Sequence, residues 1–129
     1  MASADLIQAA RDARERACAP YSNFRVGAAL EDGSGRYHLG CNIENATYGL
    51  TICAERVAVF KAISEGARNF RRIAIAADTA RLTPPCGACR QILWEFCGDI
   101  EIVLANLQSD VETLSLKTLF PLAFDASFL

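Results

Sequence analysis

Cysteine, glutamate and arginine crowd into "CAER", Cys53 to Arg56, at the head of an otherwise apolar segment. Downstream, "PPCGACRQIL" holds a second cysteine pair, Cys86 and Cys89. A C-x-x-C pair at a helix start puts both sulfurs on one side of the first turn, and a cysteine from another helix start can fill a third corner of a zinc tetrahedron. Helix N-termini suit such ligands, because their exposed N–H groups and positive dipole ends lower thiol pKa values and solvate thiolates. Pro84 and Pro85 stiffen the approach to Cys86. Structural zinc sites use four protein ligands, whereas catalytic ones use three and keep a position for water. A fourth ligand is not apparent. The single histidine, His38, stands in a predicted strand with no partner at ligand spacing, and Cys18, Cys41 and Cys97 are scattered over separate elements and read as small apolar residues.

Glu55 falls on the same first turn as Cys53, where its carboxylate can move protons to and from a zinc-bound water without binding the metal. Arg56 is placed to donate hydrogen bonds to the sulfurs and offset the net negative charge that three thiolates leave on Zn²⁺. Two other chemistries would use part of this pattern. A structural zinc module needs a fourth ligand, Cys41 or Cys97. A thioredoxin-like couple uses "CGAC" alone and leaves Cys53 and Glu55 without a role.

These residues need elements to hold them. Apolar positions Leu6, Ala9, Ala10, Ala13 and Ala17 recur at helical spacing and predict an amphipathic helix from about Asp5 to Ala17, ended by Pro20. "FRVGAALE" and "RYHLGCNI" flank "DGSG" as an antiparallel hairpin. Thr51 is a candidate N-cap for a helix whose apolar residues, Val57 to Ile63, lie on nearly every side, so it should be covered on both faces. "RRIAIAAD" and "IEIVLA" read as buried strands around the helix "CGACRQILWEFC", which closes at Gly98. "VETLSLKTLFPLAF" adds a short strand, a short helix and a tail. The alternation predicts a three-layer α/β/α sandwich with a mixed central sheet.

Composition narrows the partners. A chain of 129 residues with 52% apolar and 22% charged side chains is expected to form one domain, 1–129, around one core. A net charge of -2 argues against nucleic acid and anionic membranes. "RNFRR", Arg68 to Arg72, reads as a solvated loop entering a strand. The N-terminus lacks the order of a signal peptide and no run reaches the ~18 apolar residues of a membrane span, so a cytoplasmic location is expected. In a reducing compartment the six cysteines read as ligands, thiols or core residues, not disulfides.

"C-A-E" followed by "P-C-G-A-C" is the zinc-deaminase signature, in the variant with cysteine in place of the first histidine. With "PYSNFRVGAAL" and "GCNIENATYGLTICAER" in the same order over nearly the whole chain, the sequence closely resembles the small homotetrameric cytidine deaminases of pyrimidine salvage. The resemblance implies one zinc per subunit on Cys53, Cys86 and Cys89, Glu55 as proton shuttle and Arg56 beside the sulfurs. It implies that Asn42 and Glu44 bind the ribose 3'-hydroxyl, that Phe24 packs on the pyrimidine, and that the Ala54 N–H meets the ring carbonyl. By the same likeness Ala46 and Tyr48 reach a neighbouring subunit's site, and Phe124 enters another. The implied reaction is attack of zinc-activated hydroxide on carbon 4 of cytidine or 2'-deoxycytidine, releasing ammonia and leaving uridine or 2'-deoxyuridine. A nucleoside is expected over a nucleotide, since no motif segment offers a phosphate cradle. The chain departs from the pattern in ending soon after "PLAFDASFL" and in having "TPPC" where Ser-Pro-Cys is common.

Overall fold

The β-prone runs on either side of "DGSG" pair as an antiparallel hairpin, β1 (Val26–Asp32) and β2 (Tyr37–Cys41), in the computed structural model, which describes residues 2–129. Around it run helix α1 (Ala2–Arg14), helix α2 (Ala54–Ser64), strand β3 (Phe70–Ala77), helix α3 (Gly87–Cys97), strands β4 (Glu101–Ala105) and β5 (Val111–Ser115), and the short α4 (Leu116–Leu119). The sheet order is β2-β1-β3-β4-β5. Only β3 and β4 are parallel, joined through α3, so the sheet is mixed.

Strand alternation divides the core into two. Ala28, Leu30, Ile73, Ile75, Ile102 and Leu104 pack with Ala58 and Val59 of α2 and Leu93 of α3. The opposite face carries smaller side chains, Ala29, Ala74, Ala76 and Val103, against Leu6, Ile7 and Ala10 of α1. One helix therefore covers one face and two cover the other, giving the expected α/β/α sandwich.

Strand pairing also decides where the chemistry gathers. Val26 pairs with Ala77 and Gly27 with Cys41, so the start of β1 lies beside the ends of β2 and β3. From that end the chain passes from β2 to the start of α2, and from β3 to the start of α3. Gly40 sets the height of α2. A methyl group there would stand 2.3 Å from the Ala54 carbonyl oxygen and 2.6 Å from the Ala58 nitrogen, both backbone atoms that cannot swing aside. Gly40→Ala is therefore expected to lift α2 and destabilise the fold by about 3 kcal/mol. An unchanged urea midpoint would show that α2 can move without loss.

Several expectations are corrected. Helix α1 ends at Arg14, not Ala17: the N–H groups of Glu15, Arg16 and Ala17 donate to carbonyls three residues back in tighter turns, and at Cys18 the chain leaves for a bridge, its N–H donating to Asn42 O and its carbonyl accepting from Glu44 N. The N-cap of α2 is Cys53, while the Thr51 hydroxyl accepts from the Asn45 N–H at 3.1 Å. Helix α2 packs on the sheet through Ala58 and Val59, and its apolar surface is wider than one chain covers, as its pattern predicts: Phe60 is 39% exposed and meets Phe96 of α3 edge to face at 6.3 Å. The basic run is the expected solvated loop entering a strand at Arg68 and Asn69, and the correction falls on Arg72. Arg72 lies in β3 and pairs with the buried Glu31 at 2.7 Å, and Arg68 donates to Ile63 O and Ala67 O at the end of α2. Cys18 is exposed, whereas Cys97 packs against the core and burial pushes its thiol up to about 12.

His38 is, as expected, a strand residue, and it is buried between two carboxylates. Its Nε2 lies 2.9 Å from Asp32 and its Nδ1 3.3 Å from Glu65, which ties the hairpin turn to the end of α2. The Ser34 hydroxyl, with help from His38, holds the Asp32 carboxyl below the usual carboxylate range.

Candidate metal centre and substrate cleft

Cys53 is the N-cap of α2 and Cys86 the N-cap of α3, both with extended backbone and neither making a side-chain cap bond. Their thiols are turned instead toward Cys89, which is fully buried. The three Sγ atoms lie within 4.8 Å of one another, with Cys86 and Cys89 3.5 Å apart. Tetrahedral zinc with Zn–S bonds of about 2.3 Å needs sulfurs roughly 3.8 Å apart, so both the donor set and its spacing fit the ion. Among the described residues this is the one group of three or more Cys, His, Asp or Glu side chains placed to hold a metal. Neither Cys41 nor Cys97 belongs to it.

The electrostatics follow from that crowding. A hydrogen bond from Cys89, aided by Arg56, draws the Cys53 thiol down to about 5, while the same bond and burial push Cys89 above the ordinary thiol range. Three adjacent sulfurs resist full ionisation unless a cation lies between them. Arg56 Nη2 donates to Cys53 Sγ at 3.2 Å, as its position beside Cys53 predicts.

Glu55 points from the first turn of α2 into the same space and is only 5% exposed. Burial pushes its carboxyl up to about 7. A group with that pKa both takes and returns a proton near neutral pH, which a general acid/base requires.

An open cleft of about 240 Å³ lies above the sulfurs, lined by Phe24, Asn42, Glu44, Cys53, Ala54, Glu55 and Cys86. As the first residue of α2, Ala54 carries an N–H that helix geometry leaves without an intrahelical acceptor. Asn42 is partly engaged: its Oδ1 accepts from Val26 N at 2.9 Å and its Nδ2 donates to Phe24 O at 2.7 Å, leaving one N–H and one lone pair. Glu44 accepts from the backbone N–H groups of Tyr21 and Ser22 and from the Ser22 hydroxyl. The hydroxyl is the main reason its carboxyl sits below the usual range. Asn23, in the left-handed region at φ 57°, turns the chain between Ser22 and Phe24, and asparagine tolerates that region better than most residues.

Three residues that the family likeness assigns to a neighbouring subunit's site lie outside this chain's own cleft. Tyr48 lines a second, adjoining hollow with Tyr21, Ser22, Glu44 and Thr51, and meets the Tyr21 ring edge to face at 6.0 Å. Ala46 is exposed and lines neither hollow. Phe124 is 59% exposed and stacks on Phe128 at 5.5 Å, so within one chain it does not reach the cleft. Conversely, Val26, Thr51, Ile52, Thr83 and Pro84 line the cleft without having been singled out as substrate contacts. Thr51 and Pro84 flank the cysteines in sequence, and that proximity was the available signal.

Residues 2–105 match the family described as "Cytidine and deoxycytidylate deaminase zinc-binding region". The chain is 54% identical over 122 residues to a cytidine deaminase of Halalkalibacterium halodurans, covering 94% of this chain and 92% of that protein. It is 50% identical over 120 residues to one from Sporosarcina psychrophila, covering 92% and 88% respectively. The crystal structure of cytidine deaminase from Burkholderia pseudomallei superposes with a TM-score of 0.93 at 50% identity, covering 96% of this chain and all of the other.

Proposed function

The chain belongs to the family of zinc-binding cytidine and deoxycytidylate deaminases, and we propose that it converts cytidine and 2'-deoxycytidine, with water, to uridine and 2'-deoxyuridine plus ammonia. The observation that carries this reading is the buried Glu55 beside three sulfurs at zinc spacing, at the floor of an open cleft.

Cys53, Cys86 and Cys89 hold one zinc per subunit. When bound, zinc acidifies water at the coordination position its three protein ligands leave open, so that hydroxide is available near neutral pH. Glu55 takes one proton of the attacking water and delivers it to ring nitrogen 3 as oxygen adds to carbon 4. It then takes the remaining proton from the new hydroxyl and passes it to the amine, so that the carbon 4 carbonyl forms as the carbon–nitrogen bond breaks and ammonia leaves. Its raised pKa suits both transfers. Arg56 donates to Cys53 Sγ and draws off part of the thiolate charge, keeping the centre electrophilic.

Phe24 packs on the pyrimidine face, and the Ala54 N–H meets the ring carbonyl. The remaining N–H of Asn42 and the fixed carboxylate of Glu44 take the ribose 3'-hydroxyl. Among the described residues lining either hollow, none is lysine or arginine, and an anionic Glu44 joins the two. A 5'-phosphate is therefore disfavoured.

Assembly follows from what the chain leaves bare. Tyr21, Tyr48 and Leu50 are exposed near the cleft, Phe60 and Phe96 on the helices, and Leu122, Phe124, Phe128 and Leu129 along the tail. So much exposed apolar surface favours burial against further copies. A homotetramer would close the cleft with Ala46, Tyr48 and Phe124 from neighbouring subunits. Among the described residues no helix is long and apolar enough to cross a membrane. The proposal places the enzyme in the cytoplasm, in pyrimidine salvage, acting on free nucleosides without nucleic acid or membrane partners.

The test is paired: zinc per chain by elemental analysis, and loss of cytidine, deoxycytidine and dCMP by ultraviolet absorbance on the same sample. One zinc per chain with turnover of both nucleosides and little of dCMP is expected. A full zinc complement without nucleoside turnover would overturn the assignment, and dCMP as the preferred substrate would overturn the nucleoside reading.

A further inference from the structure

Arg90 stands one residue beyond Cys89 on α3, and its guanidinium turns back from the metal centre. Nε donates to Pro85 O at 2.7 Å and Nη1 to Leu119 O at 2.6 Å, while its own backbone N–H donates to Cys86 O at 3.0 Å. The backbone bond is the first of α3, common to any residue there, and the guanidinium adds a hold on Pro85, the residue immediately before Cys86, tied through to Leu119. The grip has a purpose there, because residues 78–86 form neither helix nor strand and Cys86 is the exposed member of the three cysteines.

The far end of the strut is firm. Leu119 closes α4, whose first residue, Leu116, is fully buried and donates its N–H to Ile100 O. The Lys117 N–H donates to Asp99 Oδ1 at 2.8 Å, which fixes α4 against the end of α3. Next along α3, Gln91 donates to Phe124 O at 3.0 Å and Trp94 to Asp125 Oδ2 at 2.9 Å. One helix carries two of the three sulfurs at its start and the anchor of the C-terminal segment along its side.

We propose that Arg90 is a positioning residue for the zinc centre: it holds the backbone of Cys86 so that this sulfur stays at coordination distance, and it couples the loop before Cys86 to the C-terminal segment. Its role differs from that of Arg56, which touches a sulfur directly. Lysine cannot replace it, since one ammonium at the end of a flexible stem does not present donors to two carbonyls in a fixed fork. The proposal rests on the zinc reading above.

Its test compares the zinc-loaded Arg90→Gln, Arg90→Lys and Trp94→Phe variants with the parent protein. The measurements are zinc release to a chromogenic chelator, the visible absorption of the cobalt(II)-substituted forms, and kcat and KM for cytidine. Partners behind a ligand are worth about 10–100-fold in metal affinity or activity, so Arg90→Gln should release zinc at least ~10-fold faster. It should also shift the cobalt bands and lower kcat with KM within about twofold of the parent. Trp94→Phe loosens only the tail and should match the parent in zinc release and cobalt bands. If Arg90→Gln fails to fold, Arg90→Lys serves for the same comparison. Parent-like zinc release and cobalt bands in the folded Arg90 variant would overturn the proposal, even with a lowered Tm. A parent protein that holds no zinc would instead overturn the metal reading itself.

Discussion

Glu55→Gln should lose about 10²–10⁴-fold in kcat for cytidine while keeping one zinc per chain. Glutamine preserves the volume and the hydrogen-bonding reach of the side chain and removes only its ability to exchange a proton. The environment argues that this ability is what the position maintains. Glu55 is nearly fully buried, and burial is the main cause of its raised pKa, so the fold tolerates a carboxylate where a neutral side chain would be easier to accommodate. Tm should accordingly be unchanged or higher in Glu55→Gln. The measurement is steady-state turnover with elemental analysis and a thermal melt on the same sample. Near-parental kcat would remove Glu55 from proton transfer, and parallel loss of zinc would make it a metal-site residue instead.

Cys89→Ser should abolish zinc retention and, with it, turnover. Cys89 is fully buried at the closed end of the site, where a hydroxyl is a weak zinc donor and water cannot easily replace the lost sulfur. Groups behind a ligand are already worth about 10–100-fold in metal affinity, so loss of a ligand should exceed ~100-fold. Cys97→Ser is the matched control. It lies at the other end of α3, outside the three-sulfur group, and should keep both zinc and activity. Zinc content after gel filtration in the presence of a chelator distinguishes the two. Loss of zinc from Cys97→Ser would revive the fourth-ligand, structural-module alternative, and full zinc in Cys89→Ser would refute the ligand set.

Much of the site was legible because its signals are local. Cysteine at a helix start, glutamate on the first turn and arginine beside it depend on positions within a few residues, and helix geometry carries such spacing directly into space. The hairpin was legible for the same reason, "DGSG" between two β-prone runs, as was the end of α3 at Gly98, whose φ of 72° suits glycine. Errors gathered where a backbone or side-chain group had a distant competitor. Thr51 has the chemistry of an N-cap but holds Asn45, and the chain tightens out of α1 before Cys18 pairs with residues more than twenty positions away. Arg72 looked solvated until β1 brought Glu31 alongside it.

Residue chemistry and short-range periodicity were enough to single out the three cysteines, to mark Glu55 as the acid beside them and to order the elements along the chain. Long-range packing set the rest: the starts of α2 and α3 meet at one end of the sheet, Gly40 lets α2 approach β2, Asn42 has half its amide free, and Arg90 bonds the carbonyls of Pro85 and Leu119. Those facts depend on strand pairing, and the pairing of β1 with β3 across more than forty residues is selected by burial of both sheet faces at once. No local spacing encodes that choice, because the free energy that makes it belongs to the assembled core.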